Sequence, residues 1–132
     1  GTKFDSIILL QPTSPLRKQQ DLNKAIKKFI RLKSLSLASI CQIEEPHPYK
    51  IFRIKNKKII NLIEHNKKNL NRQFLPKFYK LNGAIYIFNR DFFIKNKKFI
   101  SKKSDYYIMD QKNSLNLDTI EDFNLFKYYL NV

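Results

Sequence analysis

A run of apolar residues stops abruptly at a proline-rich segment near the start of the chain. The stretch from Phe4 to Leu10 ends in four consecutive apolar residues, and "QPTSPLR" (Gln11 to Arg17) follows at once. Such a run is typical of a strand covered on both faces, as in a parallel sheet. In open α/β sheets, ligands bind just beyond the carboxyl ends of the strands. The sequence therefore predicts a central strand that presents a rigid polar loop to a ligand.

Strand and helix signals alternate through most of the chain. A helix is predicted over Asp21 to Lys33 and a second apolar strand over Ser36 to Ile43, which gives a βαβ unit within about 40 residues. Further elements are predicted later: strands at Asn82 to Phe88, Asp105 to Met109 and Asn116 to Asp118, a short helix capped by Asn89, and a final helix with a capping box at Thr119 and Asp122. We therefore expect a single α/β domain over residues 1–132, built on a mainly parallel sheet.

The segment from Glu44 to Lys80 departs from this pattern. Two prolines in "EEPHP" break the chain, and a hairpin is predicted from strands at Lys50 to Ile54 and Lys58 to Ile63. Asn56 suits the turn between them because Asn tolerates a positive φ. We expect residues 44–80 to form an inserted arm.

The chain carries a formal net charge of +15, with 26 Lys and Arg against 11 Asp and Glu. A surplus of this size is typical of proteins that bind nucleic acid or another polyanion. The lysines are scattered along the chain and not clustered with aromatic residues, which argues against a nucleic-acid partner and for a codon bias toward Lys, Asn and Ile. A basic nucleic-acid-binding module remains the alternative.

Composition also limits the location of the protein and the roles of some residues. No apolar run approaches the roughly 20 residues that a membrane-spanning helix needs, so no membrane partner is expected. The single cysteine, Cys41, fits a reducing compartment such as the cytoplasm and is interpreted as a core residue. His47 and His65 have no partner at a recognisable spacing and are interpreted as surface residues.

Three short stretches carry groups suited to a ligand. The loop after the first strand offers an amide and two hydroxyls, on Gln11, Thr13 and Ser14, which suits a sugar or a nucleobase. Gly83 permits a close approach of backbone or ligand at the start of a strand. Asp118 precedes a helix, where a carboxylate can bind Mg²⁺ together with phosphate oxygens. Each stretch also has a purely structural interpretation, as a proline-rich turn, a bulge and a helix N-cap.

Five motifs occur in a characteristic order: "LLQPTSPLR", "PHPYK", "RQFLPKFYKLNGAIYIF", "YYIM" and "LDTIEDF". In this order and approximate spacing they resemble the C-terminal half of acylneuraminate cytidylyltransferases, also called CMP-sialic acid synthetases. The resemblance covers nearly the whole chain, and "LLQPTSPLR" and "NGAIYI" are specific motifs. It implies part of a Rossmann-like nucleotidyltransferase sheet, with an inserted β-hairpin arm through which the family forms homodimers.

The resemblance implies formation of a CMP-sugar and pyrophosphate from CTP and a nonulosonic acid such as N-acetylneuraminate, with Mg²⁺ as cofactor. The anomeric hydroxyl of the sugar attacks the α-phosphorus of CTP. The implied substrate-binding residues are Gln11, Pro12, Thr13, Ser14, Lys50, Arg72, Lys80, Asn82 and Gly83. Among these, Lys50, Arg72 and Lys80 are implied to hold the sugar carboxylate.

The sequence departs from the family pattern in two respects. The family often has two Asp residues separated by one residue before the final helix. Here the implied metal ligands are Asn116 and Asp118, so Asp118 is the only catalytic carboxylate. The family also wraps the triphosphate with a Gly- and Lys/Arg-rich loop, for which a chain with two glycines has no counterpart. We therefore expect a C-terminal portion that is inactive by itself. A ligand-free dimerisation remnant is the further alternative.

Overall fold

The computed structural model describes residues 4–66 and 71–131, except for the side chain of Arg72. It divides into two compact units, of which one comprises residues 42–80 (the 42–80 unit) and the other the residues on either side (the main unit). The helices and strands are β1 (Ser6–Leu9), α1 (Gln19–Leu32), β2 (Ser36–Gln42), β3 (Phe52–Lys55), β4 (Lys58–Asn61), β5 (Tyr79–Asn89), α2 (Arg90–Asn96), β6 (Asp105–Ile108) and α3 (Ile120–Leu130). None of the helices in these ranges is long and apolar enough to cross a bilayer.

Four strands form a mixed sheet in the order β1-β5-β2-β6. β1 runs antiparallel to β5, and β2 runs parallel to β6. β5 and β2 are antiparallel as well, since the Asn89 N–H donates to the Leu35 carbonyl at one end of the pair and the Ile43 N–H to the Phe78 carbonyl at the other. The sheet is therefore mostly antiparallel, with α-helices packed against it.

The expectation of a mainly parallel sheet was wrong, and so was the central position of the first strand. β1 is an edge strand, and its Ile7 and Ile8 are 38% and 42% exposed. β5 lies between β1 and β2 and takes the buried position that the sequence assigned to β1. A continuous apolar run indicates that its side chains favour burial, but it does not specify which strand lies beside it.

The core consists of two clusters that share β5. In the first, α1 contributes Ala25 and Phe29, which pack with Ile85 and Ile87. The second joins Tyr86 and Phe88 to residues of α2 and to Ala38 of β2. Because successive side chains of a strand point to opposite faces, these alternating residues of β5 cover both faces of the sheet. The interpretation of Cys41 as a core residue is confirmed, because its side chain is fully buried.

Both predicted helix caps are present. Asn89 caps α2, since its Oδ1 accepts from the N–H groups of Asp91 and Phe92 at 2.9 and 3.1 Å. Thr119 and Asp122 form the predicted capping box at the start of α3. The strand predicted at residues 116–118 is absent: this irregular segment leads from a 3₁₀ turn at Lys112–Ser114 into α3.

The 42–80 unit contains the predicted hairpin as β3 and β4. Asn56 and Lys57 form its two-residue turn with positive φ angles of 52° and 61°, as a type I′ turn requires. Opposite residues of an antiparallel pair share a face, so Phe52, Ile54 and Ile59 lie together on the face that carries the Ile54–Ile59 pair. These three side chains, the exposed hairpin face, are 49%, 81% and 71% exposed.

His47 is buried, which corrects its interpretation as a surface residue. Its Nε2 lies 3.0 Å from the Pro76 carbonyl oxygen, and its Nδ1 accepts from the Tyr49 N–H at 3.2 Å. Its ring also packs edge-on against Tyr49 and Phe78. His47 therefore fixes the proline-rich segment within the 42–80 unit.

Candidate functional site

The loop after β1 lies against the start of the buried part of β5. Gly83 has a φ of +73°, and a Cβ added there would lie 2.3 Å from Oε1 of Gln11. The Gln11 amide therefore occupies the space that any other residue at position 83 would fill. The close approach predicted at Gly83 is made by a side chain of the same protein, and it fixes the direction of the Gln11 side chain.

Arg17 holds this loop in place. Its Nη1 donates to the Ala84 carbonyl at 2.8 Å and to the Gln11 carbonyl at 3.2 Å. Both hydrogen bonds come from the same nitrogen, so this one atom joins the end of β1 to β5. Arg17 was not among the predicted site residues. The available signal was its place at the end of the "QPTSPLR" motif.

Asn82 is a structural residue in this arrangement. Its Oδ1 accepts from the Ser39 hydroxyl at 2.6 Å and from the Ala84 N–H at 3.2 Å. Its Nδ2 donates to the Ser114 hydroxyl at 2.8 Å and to Met109 Sδ at 3.4 Å. The side chain is only 6% exposed, and all its donors and acceptors are used. It ties β5 to β2 and to the turn before α3, and it offers no free group to a substrate.

The loop after β1 also meets the segment that precedes α3. The Leu117 N–H donates to the Thr13 carbonyl at 2.8 Å, so Ser14 and the residues on either side of Leu117 are brought close together. Ser14 is 2% exposed, and its hydroxyl oxygen has no hydrogen-bond partner within the described ranges. The buried Oδ1 of Asn116 likewise lacks a partner there.

Asp118 is not the N-cap of α3, because Thr119 fills that position. One oxygen of its carboxylate accepts from Asn116 Nδ2 at 2.6 Å. The structural interpretation of Asp118 as a capping residue is therefore excluded. Asn116 and Asp118 form a hydrogen-bonded pair in the segment before α3. Ser14 and the exposed Pro12 lie on the adjoining loop after β1.

Asn116 and Asp118 offer two of the oxygen types that Mg²⁺ accepts. Asp118 supplies a carboxylate, and Asn116 supplies a neutral oxygen that has no partner in the described part of the chain. The Asn116 amide faces Asp118 with its N–H, so both oxygens would reach one ion only after that amide turns. Across residues 4–66 and 71–131, no group of three or more His, Cys, Asp or Glu side chains could hold a metal ion. Mg²⁺ often uses only one or two protein carboxylates and completes its octahedral shell with water and substrate phosphates. Two protein oxygens do not complete this shell, so an ion held here would take its other ligands from water or from a phosphate-bearing molecule.

A second hydrogen-bonded cluster joins the turn before this segment to α1 and β6. The buried Asn113 donates its amide to Asp110 at 3.0 Å and to Asp21 of α1 at 3.4 Å. The Tyr107 hydroxyl also donates to Asp21, at 3.1 Å. Burial, followed by the hydrogen bond and the charge of Asp21, raises the pKa of Tyr107 to about 12. The phenol therefore stays protonated at physiological pH and holds β6 to α1.

The remaining predicted site residues belong to the 42–80 unit. Lys50 is exposed and lies 3.6 Å from the Glu45 carboxylate. Lys80 is exposed at the start of β5. The side chain of Arg72 lies outside the described part of the chain. The structure thus groups the predicted residues of the main unit, whereas the roles of these three cations stay predictions.

Replacing Gly83 by Ala is expected to lower the free energy of unfolding by about 1–2 kcal/mol from the left-handed backbone alone. The new Cβ must also displace the Gln11 amide. The Gln11→Ala/Gly83→Ala double variant should recover only the contact part of the loss, because the backbone cost remains. Urea unfolding followed by far-UV circular dichroism measures both values. A Gly83→Ala change below about 0.5 kcal/mol, the usual range for surface substitutions, would contradict the left-handed geometry.

Comparison with known proteins finds relatives that match nearly the whole chain. The chain is 27% identical over 128 residues to the "Post-translational flagellin modification protein B" of Campylobacter coli, covering 97% of this chain and 54% of that protein. It is 30% identical over 125 residues to the N-acylneuraminate cytidylyltransferase of Escherichia coli, covering 94% of this chain and 29% of the relative. It is 31% identical over 124 residues to the CMP-N,N′-diacetyllegionaminic acid synthase of Legionella pneumophila, covering 92% and 52%. No family model matches the chain.

The chain spans about half the length, or less, of these curated relatives. Nearly all of its residues are nevertheless aligned in each of the three matches. The matched span includes the loop after β1, the start of β5 and the segment before α3, which the structure brings together. By sequence, the chain belongs to the acylneuraminate cytidylyltransferase family and corresponds to a portion of its longer members.

Proposed function

We propose that this chain is the portion of a cytidylyltransferase that binds CTP phosphates and a nonulosonic acid during formation of a CMP-sugar. The names of two relatives support this, an N-acylneuraminate cytidylyltransferase and a CMP-N,N′-diacetyllegionaminic acid synthase. The acceptor class is therefore a nine-carbon α-keto acid sugar, with N-acetylneuraminate and legionaminic acids as its members to test.

The observation that carries the proposal is a pair of buried polar atoms without partners. The Ser14 hydroxyl and Asn116 Oδ1 lie on segments that the Thr13–Leu117 hydrogen bond joins. A buried polar group without a hydrogen bond is costly, so it normally bonds an ordered water or a ligand. A polar ligand that reached this point would satisfy both atoms. The adjacent Asp118 adds the negative charge that a cation bound to phosphate requires.

The proposal assigns a role to six residues of the main unit. Ser14 and Gln11 hydrogen-bond the substrate, and Gly83 and Arg17 hold Gln11 in its orientation. Asn116 and Asp118 hold Mg²⁺, which neutralises phosphate charge when it is bound. The anomeric oxygen of the sugar forms a bond to the α-phosphorus, the bond to the bridging oxygen breaks, and pyrophosphate leaves. Alignment of the reactants supplies much of the rate acceleration in such transfers.

The 132 residues by themselves are proposed to be inactive. The chain has two glycines, and Gly83, the one in the described part, packs against Gln11 and not around a triphosphate. Donors aimed at the transferred phosphate are worth roughly 3–4 kcal/mol each in comparable sites. Without a phosphate-wrapping loop, turnover should fall below detection. The exposed hairpin face is proposed to associate with a second copy, as the family resemblance implies.

Binding of CTP and Mg²⁺ tests the site directly. We expect two-dimensional ¹H–¹⁵N spectra of the chain to shift at residues 11–14 and 116–118 when Mg²⁺ and CTP are added together, and less with CTP in EDTA. Asp118→Asn should abolish the Mg²⁺-dependent part. Glu121→Gln is the matched control, because Glu121 is an exposed carboxylate in the first turn of α3.

Three kinds of outcome would overturn parts of this proposal. Shifts that survive unchanged in Asp118→Asn, or that vanish equally in Glu121→Gln, would remove Asp118 from the metal site. Pyrophosphate release by the purified 132-residue chain with CTP and N-acetylneuraminate would contradict the proposed inactivity. A chain that responds to neither CTP nor sugar would favour the ligand-free remnant.

A further inference from the structure

Helix α1 carries four cations on one side. Lys24, Lys27, Lys28 and Arg31 follow one another at intervals of three, one and three residues, so they share a face of the helix. They line a cavity of about 300 Å³ together with Tyr107 of β6. We call these four residues the α1 basic face.

Within residues 4–66 and 71–131, none of the four side chains of the α1 basic face makes a hydrogen bond or an ion pair. Asp21, the carboxylate of α1, accepts instead from Tyr107 and Asn113, so its charge lies beside the Tyr107 end of the cavity. Lys28 lies 4.2 Å from the centroid of the Tyr106 ring, a favourable contact that leaves its charge in place.

Four like charges at these intervals repel one another. Cations three or four residues apart on a helix destabilise it, and here Lys24–Lys28 and Lys27–Arg31 are both such pairs. The buried side of the same helix carries Ala25 and Phe29 and holds α1 against the sheet despite this repulsion. An anion seated in the cavity would relieve the repulsion of all four cations at once.

We propose that the α1 basic face binds an anion made of consecutive phosphate groups. The four charges extend about 10 Å along the helix, so they match an extended polyanion better than a single carboxylate. Three of them are lysines, whose flexible ammonium groups act as point charges and do not require the planar, bidentate partner that suits arginine. The same chemistry occurs in inorganic polyphosphate and in the phosphate chain of a nucleotide. The site shares no residue with the Ser14–Asn116–Asp118 cluster.

Titration with sodium tripolyphosphate tests the proposal. In EDTA, which removes any contribution from a metal site at Asp118, we expect saturable shifts of the backbone amides of residues 24–31. The double variant Lys27→Gln/Arg31→Gln should weaken the dissociation constant by about tenfold, since two charge contacts near water are lost. Lys55→Gln/Lys58→Gln is the matched control, because these exposed lysines face each other across the β3–β4 hairpin. The control should change the dissociation constant by less than about twofold.

Parallel titrations with ATP and with an oligonucleotide identify the source of the phosphates. Equal binding of tripolyphosphate and ATP at residues 24–31 assigns the site to the phosphate chain alone, whereas tighter ATP binding adds a nucleoside contact. Equal weakening in both double variants would overturn the proposal, because it would reflect net charge only. Binding of an oligonucleotide without tripolyphosphate binding would overturn it in favour of a nucleic-acid surface.

Discussion

Replacing Asn82 by Ala is expected to lower the free energy of unfolding by about 3 kcal/mol, a large effect for a single polar side chain. The amide makes four hydrogen bonds, to Ser39, Ala84, Met109 and Ser114. Its removal leaves the Ala84 N–H and the Ser114 hydroxyl short of a partner in a buried position. Each such group costs about 1–3 kcal/mol, and the small cavity left by the side chain adds to the loss.

A double-variant cycle separates these contributions. Ser114→Ala removes the partner of Asn82 Nδ2, so the Asn82→Ala/Ser114→Ala double variant should lose less stability than the sum of the single variants. Asn23→Ala is the matched control, since Asn23 is exposed on α1 and its replacement should change stability by less than about 0.5 kcal/mol. Urea unfolding of the wild type and the four variants gives all the values. An Asn82→Ala loss as small as that of Asn23→Ala would contradict the structural role.

The parts of the fold that depend on nearby residues were predictable from the sequence. The caps at Asn89 and Thr119 were found because a capping side chain bonds N–H groups only two or three residues away. The hairpin turn at Asn56 was found because its positive φ selects particular residues. The helix predicted over Asp21 to Lys33 is also present, as α1 (Gln19–Leu32).

The order of the strands was not predictable in this way. β5 lies between β1 and β2 although it follows both in sequence, and that order depends on pairings between distant residues, such as Leu9 with Tyr86. The same limit applies to the site. The motifs predicted Gln11, Asn82, Gly83 and Asp118 as site residues, but not that the Asn82 side chain is fully hydrogen-bonded within the core or that Arg17 holds the loop. These roles depend on distances between segments that the sequence keeps far apart.

The second large effect is expected in the association state of the chain. The exposed hairpin face presents Phe52, Ile54 and Ile59 to solvent. A two-stranded hairpin is marginally stable by itself in water, and an exposed apolar cluster of this kind is a common site of association. A second copy could cover the face through a two-fold axis, because the same three residues would then meet on both sides. We therefore expect the wild-type protein to have twice the 15.9 kDa mass of the chain.

Ile54→Asp/Ile59→Asp should convert this dimer to a monomer. Two carboxylates per copy would be forced together at the centre of the interface, and burying unpaired charges costs several kcal/mol. Ile94→Asp/Ile120→Asp is the matched control, because it makes the same chemical change at exposed isoleucines of α2 and α3. Light scattering after size exclusion measures the mass of each protein. If the hairpin variant keeps the dimer mass, or if the control also becomes a monomer, the exposed hairpin face is not the specific interface, and another exposed surface such as the edge strand β1 must account for the association.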